Sequence, residues 1–404
     1  SDSDSDVEVD ETAAAVAKAK AAAAAVLDED GLPAELQMDK YDEEDVAGFA
    51  GVFEGPDPYL EGDDDDKLSQ DSDEEDFVPK ATDAYLMATK VTGDHHALEV
   101  YCYDEEEGDL FVHHEVMLAD FPLCMAWMDC PPGATGAAVG EEAVGSFVAV
   151  GTFKPEIEIW NLDVINALEP SAVLGGKESR PVKPKAKKKG KKTTFKAGSH
   201  TNAVMGLAWN QKLRQLLASS SADTTVKLWD VRTETCLHTY THHKQEVQAV
   251  KWNPDAANVL ASASFDTTVT VLQADKGDTD FVQFKLPAKL ESLEWDPHNT
   301  SNFAVSCSDG TIAYFDSRNN AAPVWALPPP SSASPPVSGI TFSPLASGLL
   351  ASASEDGVAR LWDIQGASSS TPPAALGSKH LGLPKLLNLQ FYTHQPFLLA
   401  GGGN

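Results

Sequence analysis

Two kinds of marker recur along this chain at one step. Aspartates bracketed by short strand-forming runs stand at Asp223, Asp266, Asp309 and Asp356, separated by 43, 43 and 47 residues. Aromatic residues at Trp209, Trp252, Trp295 and Phe342 keep the same separations. Each aspartate sits in a related stretch: ASSSADTTVKLWD at 218–230, ASASFDTTVTVL at 261–272, VSCSDGTIAYFD at 305–316 and ASASEDGVARLWD at 351–363. Two markers sharing one period predict a tandem repeat of about 40–45 residues. A unit of that size cannot bury its apolar face alone, so it must stack on its neighbours.

Each unit reads as four short strands. In the unit starting at Ser199 they are 203–209, 216–220, 225–229 and 236–241, where β-branched residues and alternation favour strand over helix. Four-stranded sheets repeated around an axis make a β-propeller. A first, degenerate blade reads as 84–89, 97–103 and 109–114, and a second as 123–127, 147–151, 156–160 and 171–174. Blades three to six start near Ala203, Val247, Leu290 and Val337, and 386–391 and 397–401 give two strands of a seventh. The expectation is therefore an all-β, seven-bladed propeller over 77–404, with Phe77-Val78 completing the last sheet so that no edge is left free.

These stretches resemble the WD-repeat family over roughly residue 83 to the C-terminus. In that family a histidine, a strand Ser or Thr, the turn aspartate and a strand tryptophan form a buried hydrogen-bonded set. The resemblance carries those roles to His200, Ser219, Asp223 and Trp229 in one unit. The next unit has His243, Ser262 and Asp266, with Leu272 in the tryptophan position. Asp309 is matched with Phe315, and the fourth unit has Ser352, Asp356 and Trp362. Only one of the four units has the full set, so the network is expected to be weaker in the others.

Charge is distributed unevenly. Of a net −32, residues 1–76 hold −23, from 27 acidic side chains against four lysines. Runs such as SDSDSD, DDDD and DSDEED repel themselves and lack apolar surface to offset ordering entropy. A largely disordered acidic N-terminal arm is expected there, relieved by an alanine-rich stretch at 12–27 with helix propensity. One insertion opposes this charge. Trp160 and Trp229 are 69 residues apart, and the excess reads GKESRPVKPKAKKKGKKTTFKAG. Residues 177–196 hold Lys177, Arg180, Lys183, Lys185, Lys187, Lys188, Lys189, Lys191, Lys192 and Lys196 against the single acid Glu178.

Lysine ammoniums neutralise phosphates and release condensed counterions, so this loop, placed between blades two and three, is a candidate RNA-phosphate contact. No aromatic is interleaved except Phe195, which argues against base stacking as the main mode. The run KKKGKK also fits nuclear import or docking on an acidic protein. Enzymatic signatures are missing: the sequence has no HExxH, GxSxG, GxxxxGK[ST] or CxxC. The histidine doublets 95–96, 113–114 and 242–243 are expected not to bind metal, because neighbours on a strand face opposite ways. Five cysteines show no paired spacing, which favours a reducing compartment, and no apolar run is long enough to span a membrane. No catalytic residue, cofactor, metal or small-molecule substrate is expected.

An ordered series of segments narrows the family resemblance: DKYDEE, PDPY, EDFVPK, LEVYCY, FVHHE, VAVGT, EIEIWNLDV and the lysine run. In this order they resemble the WD-repeat ribosome-biogenesis factors. That resemblance implies a nuclear, nucleolar scaffold in large ribosomal subunit assembly. Its implied partners are pre-ribosomal RNA, assembly factors and ribosomal proteins of the large subunit. It also implies a link to ribosomal RNA transcription and chromatin. A histone-binding chromatin adaptor, with the acidic arm shielding basic tails, is therefore the alternative. A substrate-recognition subunit of a ubiquitin ligase ranks below both, since no F-box-like segment precedes the repeats.

Overall fold

The structure, a computed structural model, describes residues 83–105, 108–133, 144–178, 194–319, 322–329 and 334–404. The expected arm, residues 1–76, and Phe77-Val78 lie outside the described residues. The first sheet has three strands: β1 (Asp83–Thr92), β2 (His95–Asp104) and β3 (Leu110–Met117). Five four-stranded antiparallel sheets follow. Blade two holds β4 (Pro122–Met128), β5 (Phe147–Thr152), β6 (Glu156–Asn161) and β7 (Ala172–Gly175). Blade three holds β8 (Val204–Trp209), β9 (Leu216–Ser221), β10 (Val226–Asp230) and β11 (Thr235–Tyr240). Blade four holds β12 (Val247–Trp252), β13 (Val259–Ser264), β14 (Thr268–Gln273) and β15 (Phe281–Lys285). Blade five holds β16 (Leu290–Trp295), β17 (Asn302–Cys307), β18 (Ile312–Asp316) and β19 (Trp325–Leu327). Blade six holds β20 (Val337–Phe342), β21 (Leu349–Ser354), β22 (Val358–Asp363) and β23 (Ala374–His380). A two-stranded ribbon, β24 (Leu386–Phe391) and β25 (Leu399–Gly403), comes last. Where the sequence suggests seven blades, the described residues form six sheets of three or four strands plus this pair.

Burial explains the composition of each strand. The second strand of a blade is covered on both faces: β9 (LLASSS), β13 (VLASAS) and β21 (LLASAS) are buried at every position after the first. They therefore read as runs of small and apolar residues instead of alternating ones. Outer strands face water, as the fully exposed β23 (AALGSKH) shows. Apolar packing forms six clusters between successive sheets. Leu174, Val204 and Trp229 join blades two and three, and Phe284, Trp295 and Phe303 join four and five.

The 43-residue aromatic step has a mechanical meaning in the middle blades. Trp252 Nε1 donates to the Ala208 carbonyl (3.1 Å) and Trp295 Nε1 to the Lys251 carbonyl (3.2 Å), each in the preceding blade. The next residue reaches the other way: Asn210 Nδ2 donates to Ala257 O (2.7 Å) and Asn253 Nδ2 to Thr300 O (2.5 Å). Inner strands β4, β8, β12, β16, β20 and β24 also share a bulge near their first residues, which increases local twist.

The residue after each turn aspartate is left-handed: Thr224 at φ 72°, Thr267 at 67°, Gly310 at 88° and Gly357 at 75°. A β-branched residue is strained there, by about 1–3 kcal/mol. Thr224→Gly is expected to raise the urea midpoint slightly, because relief of strain exceeds the added freedom of the unfolded chain. Gly357→Ala is expected to lower it, since a Cβ there collides with the Leu383 carbonyl. A lower midpoint for Thr224→Gly would contradict this account.

Candidate functional site

Blade three assembles the polar set from four places in the repeat. Trp229 Nε1 donates to Ser219 Oγ at 2.9 Å, and Ser219 Oγ donates to His200 Nε2 at 2.7 Å. His200 Nδ1 donates to Asp223 Oδ2 at 3.0 Å. The direction follows from chemistry: a carboxylate only accepts, so Nδ1 carries the proton and Nε2 is left to accept. Asp223 accepts three further bonds, from Thr201 N (2.9 Å), Thr225 N (3.0 Å) and Thr225 Oγ1 (2.7 Å). Burial pushes the Asp223 carboxyl up, but its bonds from His200, Thr225 and Thr201 outweigh this and hold it well below the usual carboxylate range. Burial pushes His200 down, against the opposing pull of Asp223, which favours a neutral ring.

The other blades keep the aspartate turn or the partnering principle while exchanging parts. In blade four His243 Nδ1 lies 3.2 Å from Asp266 Oδ2, and its Nε2 lies 2.9 Å from Ser262 Oγ. Leu272 offers no N–H, and His242 takes that place, with Nε2 3.2 Å from Ser262 Oγ and Nδ1 3.0 Å from Asp278 Oδ1. Burial, then the neighbouring His243, push His242 down. Blade six keeps Trp362 Nε1 donating to Ser352 Oγ (2.9 Å), and Arg360 holds Asp356 (2.7 Å) where a histidine stands elsewhere. In blade five Val305 occupies the serine position, and Phe315 packs with Phe284 and Phe303 at ring distances of 5.4 and 5.6 Å. Asp309 there accepts the Thr311 N–H at 2.9 Å. In blade two Trp160 Nε1 donates to Glu158 (3.2 Å), whose carboxyl burial pushes up.

One part of the expectation of a weaker network needs correcting: in blade four His242 supplies the second contact to Ser262 that Leu272 cannot make. Blade six holds Ser352 and Asp356 in two separate pairs, with Trp362 and Arg360, and blade five has aromatic packing in place of the polar contacts. The histidine argument also needs correcting at two doublets. His242 and His243 lie in the β11–β12 loop, not on a strand, and both reach Ser262. His113 and His114 straddle a bulge in the β2–β3 register, which brings their Nδ1 atoms to 2.8 Å. No cluster of three or more potential metal ligands occurs among the described residues. The doublet preceding the repeat histidine was the available signal for His242. Arg360, four residues past its aspartate, had no such signal.

The basic loop has a defined root. Beyond Gly175 the chain leaves β7 and forms a short antiparallel stem: Lys177 pairs with Phe195, Glu178 N donates to Thr194 O (2.9 Å) and Lys196 N donates to Gly176 O (2.9 Å). Lys177 and Lys196 are exposed, one on each side of this stem. Arg180, Lys183, Lys185, Lys187, Lys188, Lys189, Lys191 and Lys192 lie outside the described residues. Gly176 N donates to Ser199 Oγ (2.8 Å), so the stem is tied to the residue preceding His200. It thereby rises at the junction of blades two and three.

Family models match two parts of the chain: residues 188–255 match the anaphase-promoting complex subunit 4 WD40 domain, and 323–363 match the WD domain, G-beta repeat. An uncharacterized WD repeat-containing protein of Schizosaccharomyces pombe is 39% identical over 350 residues, covering 86% of this chain and 64% of that protein. The periodic tryptophan protein 1 homolog of Drosophila melanogaster is 29% identical over 375 residues, covering 91% of this chain and 75% of the fly protein. A shorter match, 35% over 83 residues, covers 20% of this chain and 18% of ribosome biogenesis protein YTM1 of Candida albicans. The chain thus spans less than two thirds of the fission-yeast relative.

Two outcomes follow from the polar set. Asp223→Ala leaves four donors without an acceptor and is expected to cost about 1–3 kcal/mol more than Asp309→Ala. Equal shifts of the urea midpoint in the two variants would count against this. Because the His200 pKa lies below its ordinary 6.5 in the fold, the unfolded chain binds the proton first as pH drops. Stability is therefore expected to decline below about pH 6.5, with a second decline near the ordinary carboxylate range, where the depressed Asp223 adds its share. His200→Gln should reduce the dependence of the urea midpoint on pH between 7.5 and 5.

Proposed function

We propose that this chain, similar to periodic tryptophan protein 1, is a non-catalytic WD-repeat scaffold in nucleolar assembly of the large ribosomal subunit. The partners are pre-ribosomal RNA, held through phosphates by the 177–196 loop, and assembly factors and ribosomal proteins on the propeller surface. The observation that carries this reading is a charge contrast in the sequence. Ten cations stand in 20 residues of an otherwise acidic protein, and the described ends of that stretch pair as a short stem between two blades. A rigid frame that displays a dense cation loop suits a particle in which proteins must grip folded RNA without reading its sequence. The name of one shorter match, a ribosome biogenesis protein, points the same way. Among the described residues no helix is long and apolar enough to cross a membrane.

A second reading rests on the arm. Its net −23 would attract basic histone tails, which gives the chromatin adaptor linked to ribosomal RNA transcription. Ribonuclease treatment separates the two: partners lost from the purified complexes favour the pre-ribosome, and partners retained favour chromatin.

RNA affinity against salt tests the loop. If about five lysines reach phosphates, log affinity should fall with log salt at a slope of roughly −3 to −5. Replacing Lys187, Lys188, Lys189, Lys191 and Lys192 by Ser should flatten the slope and leave the thermal midpoint nearly unchanged. An unaltered slope in that variant would remove the loop from RNA binding and leave nuclear import or protein docking as its role.

A further inference from the structure

Blades three and four differ by one hydrogen. A serine hydroxyl donates once and accepts through its lone pairs. In blade three Ser219 Oγ accepts from Trp229 Nε1 and donates to His200 Nε2, so donors and acceptors match. In blade four Leu272 brings no indole N–H, and Ser262 Oγ faces two imidazole nitrogens: His243 Nε2 at 2.9 Å and His242 Nε2 at 3.2 Å. Each ring meets a carboxylate at its other nitrogen. His243 Nδ1 lies 3.2 Å from Asp266 Oδ2, and His242 Nδ1 lies 3.0 Å from Asp278 Oδ1. Burial raises the Asp278 carboxyl, but bonds from Thr241 and His242 outweigh this and hold it below the ordinary carboxylate range. An ionised carboxylate only accepts, so both Nδ1 atoms carry hydrogen. Two neutral rings therefore turn two bare Nε2 atoms toward a hydroxyl with one hydrogen.

The shorter contact assigns that hydrogen to His243. A neutral His242 then serves only one of its two partners. With its hydrogen on Nδ1 it bonds Asp278 and offers nothing to the Ser262 oxygen. With its hydrogen on Nε2 it bonds Ser262 and sets a bare nitrogen against Asp278. Only the imidazolium, with both N–H groups, satisfies both. The groups facing the pair come from four places. Asp278 stands in the 277–279 turn and Asp266 in the β13–β14 turn, where it also accepts from Thr268 and Lys244 N. Tyr240, at the end of β11, has its ring 6.4 Å from His242, and Asp275 and Cys236 act on that same tyrosine. The Phe281 ring, from β15, covers His242 at 5.5 Å. Burial and the neighbouring His243 oppose a proton on His242, and Asp278 and Asp266 favour it.

We propose that His242 is a proton-sensing side chain: with one added proton it ties Ser262 in β13 to Asp278 in the 277–279 turn, and without it one of the two contacts is lost. In the protonated state every joint has one donor and one acceptor. His242 Nδ1 donates to Asp278, His242 Nε2 to Ser262 Oγ, that hydroxyl to His243 Nε2, and His243 Nδ1 to Asp266. The proton comes from water on the Asp278 side, where the carboxylate is 30% exposed while the His242 side chain is only 1% exposed. Its uptake lies on the acid side of the ordinary histidine value of 6.5. Blades three and six lack the device, because Trp229 and Trp362 give Ser219 and Ser352 an N–H that does not titrate. The inference is independent of what the 177–196 loop contacts.

The test follows the histidine ring nitrogens of the full, nitrogen-15-labelled chain by NMR between about pH 8 and 4.5, a span around the ordinary histidine range. As pH falls, His242 should gain a second ring N–H while His200 keeps one. The Thr241 amide, which donates to Asp278, should shift at the same midpoint, and the Thr201 amide, which donates to Asp223, should not. Asp278→Asn removes the charge partner and Ser262→Ala the Nε2–H acceptor, so each should lower the midpoint by about one pH unit. Unchanged His200 signals show that a variant is folded, and Asp278→Asn, at a partly exposed site, keeps the test open if Ser262→Ala disturbs the core. A His242 ring that stays neutral throughout, or gains its proton no earlier than His200, would overturn the proposal. So would a midpoint that Asp278→Asn leaves in place, or a titration that the Thr241 amide does not follow.

Discussion

Face-to-face stacking of successive sheets is the constraint on which the rest of this molecule depends. A four-stranded sheet of about 20 residues has two faces and too little surface to stabilise itself. In β9, β13 and β21 both faces are covered, so stability comes from the interfaces and not from any one blade. The small residues of these strands follow directly, since Ala and Ser let neighbouring sheets approach. Two of the recurring tryptophans follow too: Trp252 and Trp295 sit where one blade can hydrogen-bond to the backbone of the blade before it. The repeat thus encodes a joint as much as a unit.

Close stacking has a consequence for polar groups. Ser219, Ser262 and Ser352 are almost wholly buried, and a buried hydroxyl without a partner costs more than a satisfied one gains. Each blade meets this with different parts. Blade three uses tryptophan and histidine, blade four two histidines, and blade six tryptophan. Blade five has valine at this position and so has no hydroxyl to satisfy. At this one position of the second strand the hydroxyl, where present, is always satisfied, and the identity of its partner varies from blade to blade.

This explains which features are legible in the sequence. The period, the strands and the aspartate turns are local, since each is set by residues a few positions apart. Strand limits from sequence and structure agree within a few residues, as 216–220 against Leu216–Ser221 shows. His242 and Arg360 are less legible because they act as substitutes, and a substitute has no motif. The His113–His114 contact depends on a bulge that alternation alone cannot reveal. The pairing of Phe121 with Phe153 depends on blade geometry, with one ring at a strand entry and the other at a turn. Blade number is the least local property of all, because it depends on how partial sheets at the two ends of the repeat array are completed.

The position of the basic loop follows from the same geometry. The link from an outer strand to the next inner strand crosses the blade boundary at the surface, where added residues disturb no interface. The Lys177–Phe195 pairing brings the two ends of the insertion together, so the residues beyond it add only a slowly growing loop-closure term. Gly176 at φ 86° and Gly198 at 77° let the backbone turn out of β7 and back toward Ser199 without a side-chain clash. The fold therefore constrains the stem closely. A composition as extreme as ten cations in 20 residues is not needed for packing, and its explanation must lie in what the loop touches.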